Sequence, residues 1–74
     1  MPLAIAAVGQ EVELAAISGG RRLQHHLAEM GLMPGARFKI INRGHPGPFI
    51  ILVKDTRLML GRGMVHAVTV RALD

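Results

Sequence analysis

Several residue types that commonly support catalysis and binding are absent from this 74-residue chain, or nearly so. It has no cysteine, which excludes disulfide bonds, thiolate metal sites and cysteine nucleophiles together. It has no tryptophan or tyrosine either, and Phe38 and Phe49 are its only aromatic residues. The core must therefore be built mainly of aliphatic side chains and methionine. An aromatic platform for nucleic acid bases or an aromatic groove for proline-rich peptides cannot be built from this composition.

Acidic residues are also scarce. Five Asp and Glu stand against nine Lys and Arg, which gives a net charge of +4. A positive excess of this size suits nucleic acid, an acidic protein surface or an anionic membrane face, and it does not choose among them. The basic residues are spread singly or in pairs along the whole chain. Together with the lack of aromatic residues, this spread argues against nucleic-acid binding, which remains a lesser alternative.

The usual motifs of enzymes and of membrane targeting are missing as well. There is no glycine-rich phosphate loop ending in Lys-Ser or Lys-Thr, and no serine in a nucleophile elbow. The apolar residues 2–8 have no basic residue before them and are far too few to span a bilayer. We therefore expect a non-enzymatic, cytoplasmic protein with a single domain over residues 1–74.

Glycine and proline divide the chain into short segments, from which we predict five strands and one helix. The strands are expected near residues 11–18, 37–42, 49–54, 57–60 and 68–71, and the helix near residues 21–30. Strands this short and this closely spaced indicate a small antiparallel β-barrel. The predicted fold class is thus mainly β, with one short α-helix inserted into the barrel.

The junction between this helix and the next strand is the most informative stretch. Gly31 stands where a residue of positive φ commonly ends a helix, and Leu32 is then expected to pack back on Leu27. Pro34 and Gly35 suit a tight turn that leads into the following strand. We interpret all three of Gly31, Pro34 and Gly35 as structural turn residues.

Around this junction the chain resembles the FeoA family, the ferrous iron transport proteins A. The matching segments are residues 27–35 (LAEMGLMPG), 38–41 (FKII), 46–48 (PGP), 58–60 (LML) and 67–70 (AVTV). The resemblance implies an SH3-like barrel that carries its helix between the first and second strands. It also implies a small cytosolic accessory protein of bacterial ferrous iron uptake, which docks on the cytosolic GTP-binding part of a FeoB-type transporter. Contact with the membrane would then be indirect, through the transporter.

Two apolar surfaces are candidates for partner binding. The segment 49–53 (FIILV) is apolar on both faces of a predicted strand, so Ile50 and Leu52 point outward if their neighbours point inward. Such a patch is covered by the chain itself, by a second copy in a homodimer, or by a partner protein. Arg37 and Lys39 would border it. The second candidate is the helix exit, whose methionines fit either a core or an adaptable binding surface; it consists of Met30, Leu32 and Met33.

His25, His26 and Glu29 are candidate metal ligands on the predicted helix. His25 and Glu29 are four residues apart, as ligands on a helix usually are, whereas His26 diverges from His25 by about 100°. With one further ligand, the pair would suit Zn²⁺ or Fe²⁺. A freestanding metal-binding protein is therefore the alternative function, although no cofactor is required by the sequence. Solvated helix residues are the plainer interpretation of the same three side chains.

Overall fold

The structure is a computed structural model that describes residues 1–73. Its five strands are β1 (Glu11–Ile17), β2 (Arg37–Arg43), β3 (Phe49–Val53), β4 (Thr56–Leu60) and β5 (Val68–Ala72). They form one antiparallel sheet in the order β4-β3-β2-β1-β5. In the described residues no ladder joins β4 to β5, so the barrel is open along one side.

Helix α1 (Arg21–Glu29) lies between β1 and β2, as predicted, and every predicted element agrees with the observed bounds to within about two residues. A second short helix, α2 (Arg62–Ala67), and a 3-10 helix (Leu3–Ile5) were not predicted. A six-residue segment that contains a glycine is too short to form a helix alone. Its fold depends on the burial of Val65, which is a tertiary effect.

The core is built from one face of each strand and from the apolar sides of the helices. Both phenylalanines lie in it, and no polar or charged residue among those described is buried. Because the strands alternate buried and exposed positions, the opposite face of the sheet keeps its polar and basic side chains in solvent. The buried residues are Leu3, Ala6, Val12, Leu14, Leu27, Leu32, Phe38, Ile40, Phe49, Ile51, Val53, Leu60, Val65, Val68 and Val70.

The end of α1 has the geometry that its sequence predicts. The Gly31 N–H donates to the Ala28 carbonyl at 2.9 Å, and the Leu32 N–H donates to the Leu27 carbonyl at 2.9 Å. With Gly31 at φ 87°, these two bonds form a Schellman motif, which satisfies carbonyls that the helix end would otherwise leave unpaired. Leu27 and Leu32 are both buried, so the motif also carries its usual apolar contact.

The turn that follows ties the helix exit to β1. The Ala36 N–H donates to the Met33 carbonyl at 2.9 Å across Pro34 and Gly35, and Gly35 has φ 96°. The Gly35 N–H then donates to the Leu14 carbonyl, and the Leu14 N–H to the Ala36 carbonyl, both at 2.8 Å. These bonds continue the pairing of β1 with the β2 side of the sheet beyond the Glu13–Arg37 pair. Pro34 and Gly35 thus occupy the two central positions of a tight turn that leads into β2.

The conformational demand at Gly31 gives a testable prediction. We expect Gly31→Ala to lower the free energy of unfolding by about 1–2 kcal/mol, because an L-residue is strained at positive φ. A Cβ there would meet only the Val53 side chain, at 4.0 Å, so the effect is conformational rather than steric. The matched control is Gly63→Ala in α2, where nothing lies within 4 Å of the added methyl group.

The control variant is expected to raise the free energy of unfolding by about 0.5–1 kcal/mol, since alanine favours helix over glycine. Chemical denaturation followed by far-ultraviolet circular dichroism measures both changes and needs no aromatic fluorophore. Equal effects of the same sign in the two variants would contradict the assignment of Gly31 to a left-handed helix end.

The two outer edges of the sheet differ in whether another segment of the chain pairs with them. On the β5 side, the Met1 nitrogen donates to the Val70 carbonyl and the Val70 N–H donates to the Met1 carbonyl, both at 2.7 Å. Pro2 continues this pairing with a bridge to Thr69. On the β4 side, no strand of the described residues lies beside the outer edge. The N-terminal segment thus covers one edge of the sheet and leaves the other open.

Candidate docking surfaces

Strand β3 presents two apolar side chains on the outer face of the sheet. Its residues alternate strictly, with Phe49, Ile51 and Val53 buried and with Ile50 and Leu52 between them half-buried. This is the alternation that the sequence predicts, and it leaves Ile50 and Leu52 pointing away from the core. The outer face of β3 is therefore unusually apolar for an exposed strand.

Met59 enlarges this apolar surface. The hairpin register pairs Met59 with Ile50 across β3 and β4, so both lie on the same face of the sheet. The Met59 side chain is 70% exposed, more than any other large apolar residue described. We call Ile50, Leu52 and Met59 the outer patch. A flexible and polarizable methionine at its exposed end suits the patch to contact with another protein.

Basic residues border the outer patch. Leu52 is paired with Lys39 on β2 and with Arg57 on β4, which places a positive charge on each side of it. A shallow cleft of about 370 Å³ beside Leu52 is also lined by Arg37 and Lys54. The Arg37 Nε lies 3.4 Å from Glu13 Oε1, whereas Lys39 and Arg57 have no carboxylate within ion-pair distance among the described residues.

The structure of the helix exit shows that one of the predicted partner contacts, Leu32, is wrong. Leu32 is only 1% exposed and belongs to the core, so the prediction that its side chain meets a partner is wrong. The Schellman motif turns the residue after Gly31 back onto the helix, and Leu32 is that residue. Met30 is half-buried against the same core, which leaves Met33, at 48% exposure, as the accessible methionine of this cluster.

Met33 borders a groove between α1 and β1. The groove has a volume of about 540 Å³ and small apolar walls formed by Ala15, Ala16 and Ala28. Arg21 and His25 stand at its rim. This groove is a second candidate surface. Two of the three predicted helix-exit residues line it, the exposed Met33 and the buried Leu32.

The three predicted metal ligands do not converge. The His25 Nε2 lies 3.8 Å from Glu29 Oε2, and both side chains are well exposed. His26 faces a different hollow, which Gly19, Arg22 and Leu23 also line. Within residues 1–73 no group of three or more potential ligand side chains is close enough to hold a metal ion. The structure thus brings together only the pair at helical spacing and not the set of three.

The comparison with family models decides where this chain belongs. A model described as the FeoA domain matches residues 1–72, which is nearly the whole chain. The chain belongs to the FeoA domain family. A protein of Methanocaldococcus jannaschii named as an Fe(2+) transport protein A is 36% identical over 69 residues, covering 93% of this chain and 83% of its own length.

Solved structures confirm the SH3-like fold of this FeoA domain. The crystal structure of an iron uptake regulatory protein (FeoA) is 34% identical, with a TM-score of 0.86 over 99% of this chain and 96% of that one. The FeoA protein of Chlorobium tepidum is 21% identical, with a TM-score of 0.86 over 100% of this chain and 71% of that one. The predicted mainly β, SH3-like class with its inserted helix is thus correct.

The same fold also occurs inside longer proteins. A manganese-dependent transcriptional repressor has a TM-score of 0.87 over 99% of this FeoA domain but only 41% of its own chain. At 20% sequence identity, this likeness shows a shared fold and nothing about function. None of the helices described in residues 1–73 is long and apolar enough to cross a membrane.

Two residues of the outer patch region were missed by sequence reasoning. Met59 and Arg57 lie in a predicted strand, yet their face depends on the register of the hairpin with β3. A two-residue turn, Lys54 and Asp55, sets that register by placing Thr56 opposite Val53. The short polar segment between the two apolar runs is the feature of the sequence from which this hairpin pairing could have been predicted.

Proposed function

We propose that this FeoA-domain chain is a non-enzymatic accessory protein of ferrous iron uptake that acts by docking on a membrane transporter. Family membership and the name of the archaeal relative support the link to ferrous iron transport. The observation that carries the docking role is the outer patch, where exposed Met59 extends the apolar pair Ile50 and Leu52 between basic residues.

The chemistry of the patch defines the surface that would match it. An apolar centre excludes water and supplies most of the binding free energy of an interface, while charges at its rim mainly guide association and fix orientation. Lys39 and Arg57 flank Leu52, so the complementary surface carries an apolar centre with acidic residues around it. In this proposal, that surface belongs to the cytosolic GTP-binding part of a FeoB-type transporter, and the chain acts in the cytoplasm.

The test is a pull-down of this chain against the membrane-extracted transporter and against its isolated GTP-binding domain. Each is measured with ferrous ion and with a chelator. We expect binding to both that survives chelation and weakens as salt is raised, because exposed charges at a rim are screened. No binding in any condition would contradict docking.

A dependence on metal would favour the alternative function instead. The observation behind that alternative is the His25–Glu29 pair, which would need a ligand from the partner to complete an Fe²⁺ or Zn²⁺ site. In that case binding would require the ion and would be lost in His25→Ala, whereas His26→Ala, on a different side of α1, would retain it.

A further inference from the structure

A basic cleft that shares no residue with the outer patch lies between the β2–β3 loop and α2. It has a volume of about 300 Å³. The end of β2 contributes Arg43, the loop contributes His45, and the helix contributes Arg62 and His66. None of the residues that line the cleft is acidic. The fold therefore gathers four basic side chains from two distant parts of the sequence around one concave surface.

The loop side of the cleft is held in place by hydrogen bonds and by a restricted backbone. The Arg43 Nη2 donates to the Ala4 carbonyl at 3.1 Å, and the Gly44 N–H donates to Asn42 Oδ1 at 2.9 Å. Gly44 has φ 84°, and a Cβ at this position would approach the Gly47 carbonyl oxygen to 3.2 Å. The loop is thus closely folded around glycine, and Arg43 is oriented before any ligand arrives.

The helix side is anchored by the core. Arg62 and His66 are four residues apart, so they lie on the same side of α2. Val65 is buried and fixes the helix against the sheet. The cleft has an apolar floor, formed by the largely buried residues Phe49, Leu60 and Val65.

No carboxylate in the described part of the chain pairs with the arginines of this cleft. Elsewhere, Glu13 lies within ion-pair distance of both Arg37 and Arg71. Among the described residues no carboxylate comes within 4 Å of Arg43 or Arg62. Two guanidinium groups therefore line a concave site without a nearby carboxylate among the described residues. Such a site attracts an anion, because its walls concentrate the positive potential.

We propose that this cleft binds a phosphate group carried by a small ligand. Guanidinium groups match phosphate oxygens in geometry and charge, and two of them balance a doubly negative group better than a single carboxylate. The histidine rings add N–H donors. A volume of about 300 Å³ is at the lower end for ligand sites, which limits the ligand to a phosphate group with a small attached part.

The same phosphate chemistry has two sources, a free phosphate compound and a lipid headgroup, and two probes separate them. Pyrophosphate is titrated into labelled protein while the amide resonances of Gly44 and Gly47 are followed by NMR. Sedimentation with phosphatidylcholine vesicles, with or without phosphatidic acid, tests the lipid. The variant is Arg43→Gln/Arg62→Gln, and the matched control is Arg21→Gln/Arg22→Gln, which removes the same charge from α1 outside the cleft.

We expect saturable pyrophosphate binding that is unchanged in the control and weaker by at least about tenfold in the cleft variant, since each lost bond is charge-assisted. Arg62→Gln alone keeps the Arg43 bond to Ala4 and is expected to show part of the loss in a fully folded protein. Sedimentation only with phosphatidic acid, lost in the cleft variant, would assign the site to a lipid headgroup.

Equal weakening in the cleft and control variants would overturn the proposal, because it would reduce the effect to net charge. Absence of saturable binding to both probes would overturn it as well. The cleft shares no residue with the outer patch, so either proposal can fail without the other.

Discussion

Replacing Leu32 with alanine is expected to lower the free energy of unfolding by about 2–5 kcal/mol. Leu32 is 1% exposed and packs where the end of α1 meets the core, so truncation removes buried surface and leaves a cavity. A domain of 74 residues has a total stability of about 4–11 kcal/mol. The variant therefore loses a large share of it, and denaturation followed by circular dichroism measures the loss.

Met33→Ala is the matched control for this prediction. Met33 is the next residue in the chain and is 48% exposed, so we expect its free energy of unfolding to change by no more than about 0.5 kcal/mol. Similar stabilities for the two variants would contradict the burial of Leu32. The contrast also bears on docking, because reduced binding by a Leu32 variant would report unfolding rather than a lost contact.

Replacing Met59 with glutamate is expected to weaken binding to the transporter's isolated GTP-binding domain by about thirtyfold, which corresponds to about 2 kcal/mol. The substitution removes the most exposed apolar side chain of the outer patch. It also adds a negative charge, which an acidic partner surface would repel. Because Met59 is 70% exposed, the fold should tolerate the change. Titration calorimetry gives the dissociation constant.

Ile5→Glu is the matched control for the docking prediction. Ile5 is 63% exposed and lies in the 3-10 helix, outside the outer patch, so the same charge is added where another exposed apolar side chain is lost. We expect the dissociation constant of this variant to stay close to that of the unmodified chain. If folded Met59→Glu bound as tightly as Ile5→Glu, the outer patch would not be the docking surface.

Local chemistry made most of the fold predictable from sequence. The alternation of buried and exposed residues around Ile51 and the helix end at Gly31 each depend on only a few neighbouring residues. Both predictions hold. The helix α2 could not be predicted in the same way. Its six residues include Gly63, and what stabilises them is the burial of Val65 by segments far away in the chain.

The candidate surfaces were less predictable, because they depend on register and on closure of the helix end. Ile50 and Leu52 were placed correctly by alternation alone. Met59 needed the register of the β3–β4 hairpin, which a pattern of single residues does not contain. The prediction that Leu32 packs back on Leu27 holds, and this inward packing in a Schellman motif is why the separate prediction of Leu32 as a partner contact was wrong. Arg43 and Arg62 meet only through the tertiary fold.

The unequal edges of the sheet limit how copies of this chain can associate through their backbones. Unpaired N–H and C=O groups can pair with further strands, and within residues 1–73 only β4 has them along an outer edge of the sheet. Met1 and Pro2 occupy the opposite flank, beside β5, and proline has no N–H to donate. A molecule with one unpaired sheet edge can pair with one other molecule through that edge. If copies of this chain did pair strand to strand, the pairing would therefore be expected to stop at a symmetric pair and not to continue into a fibre.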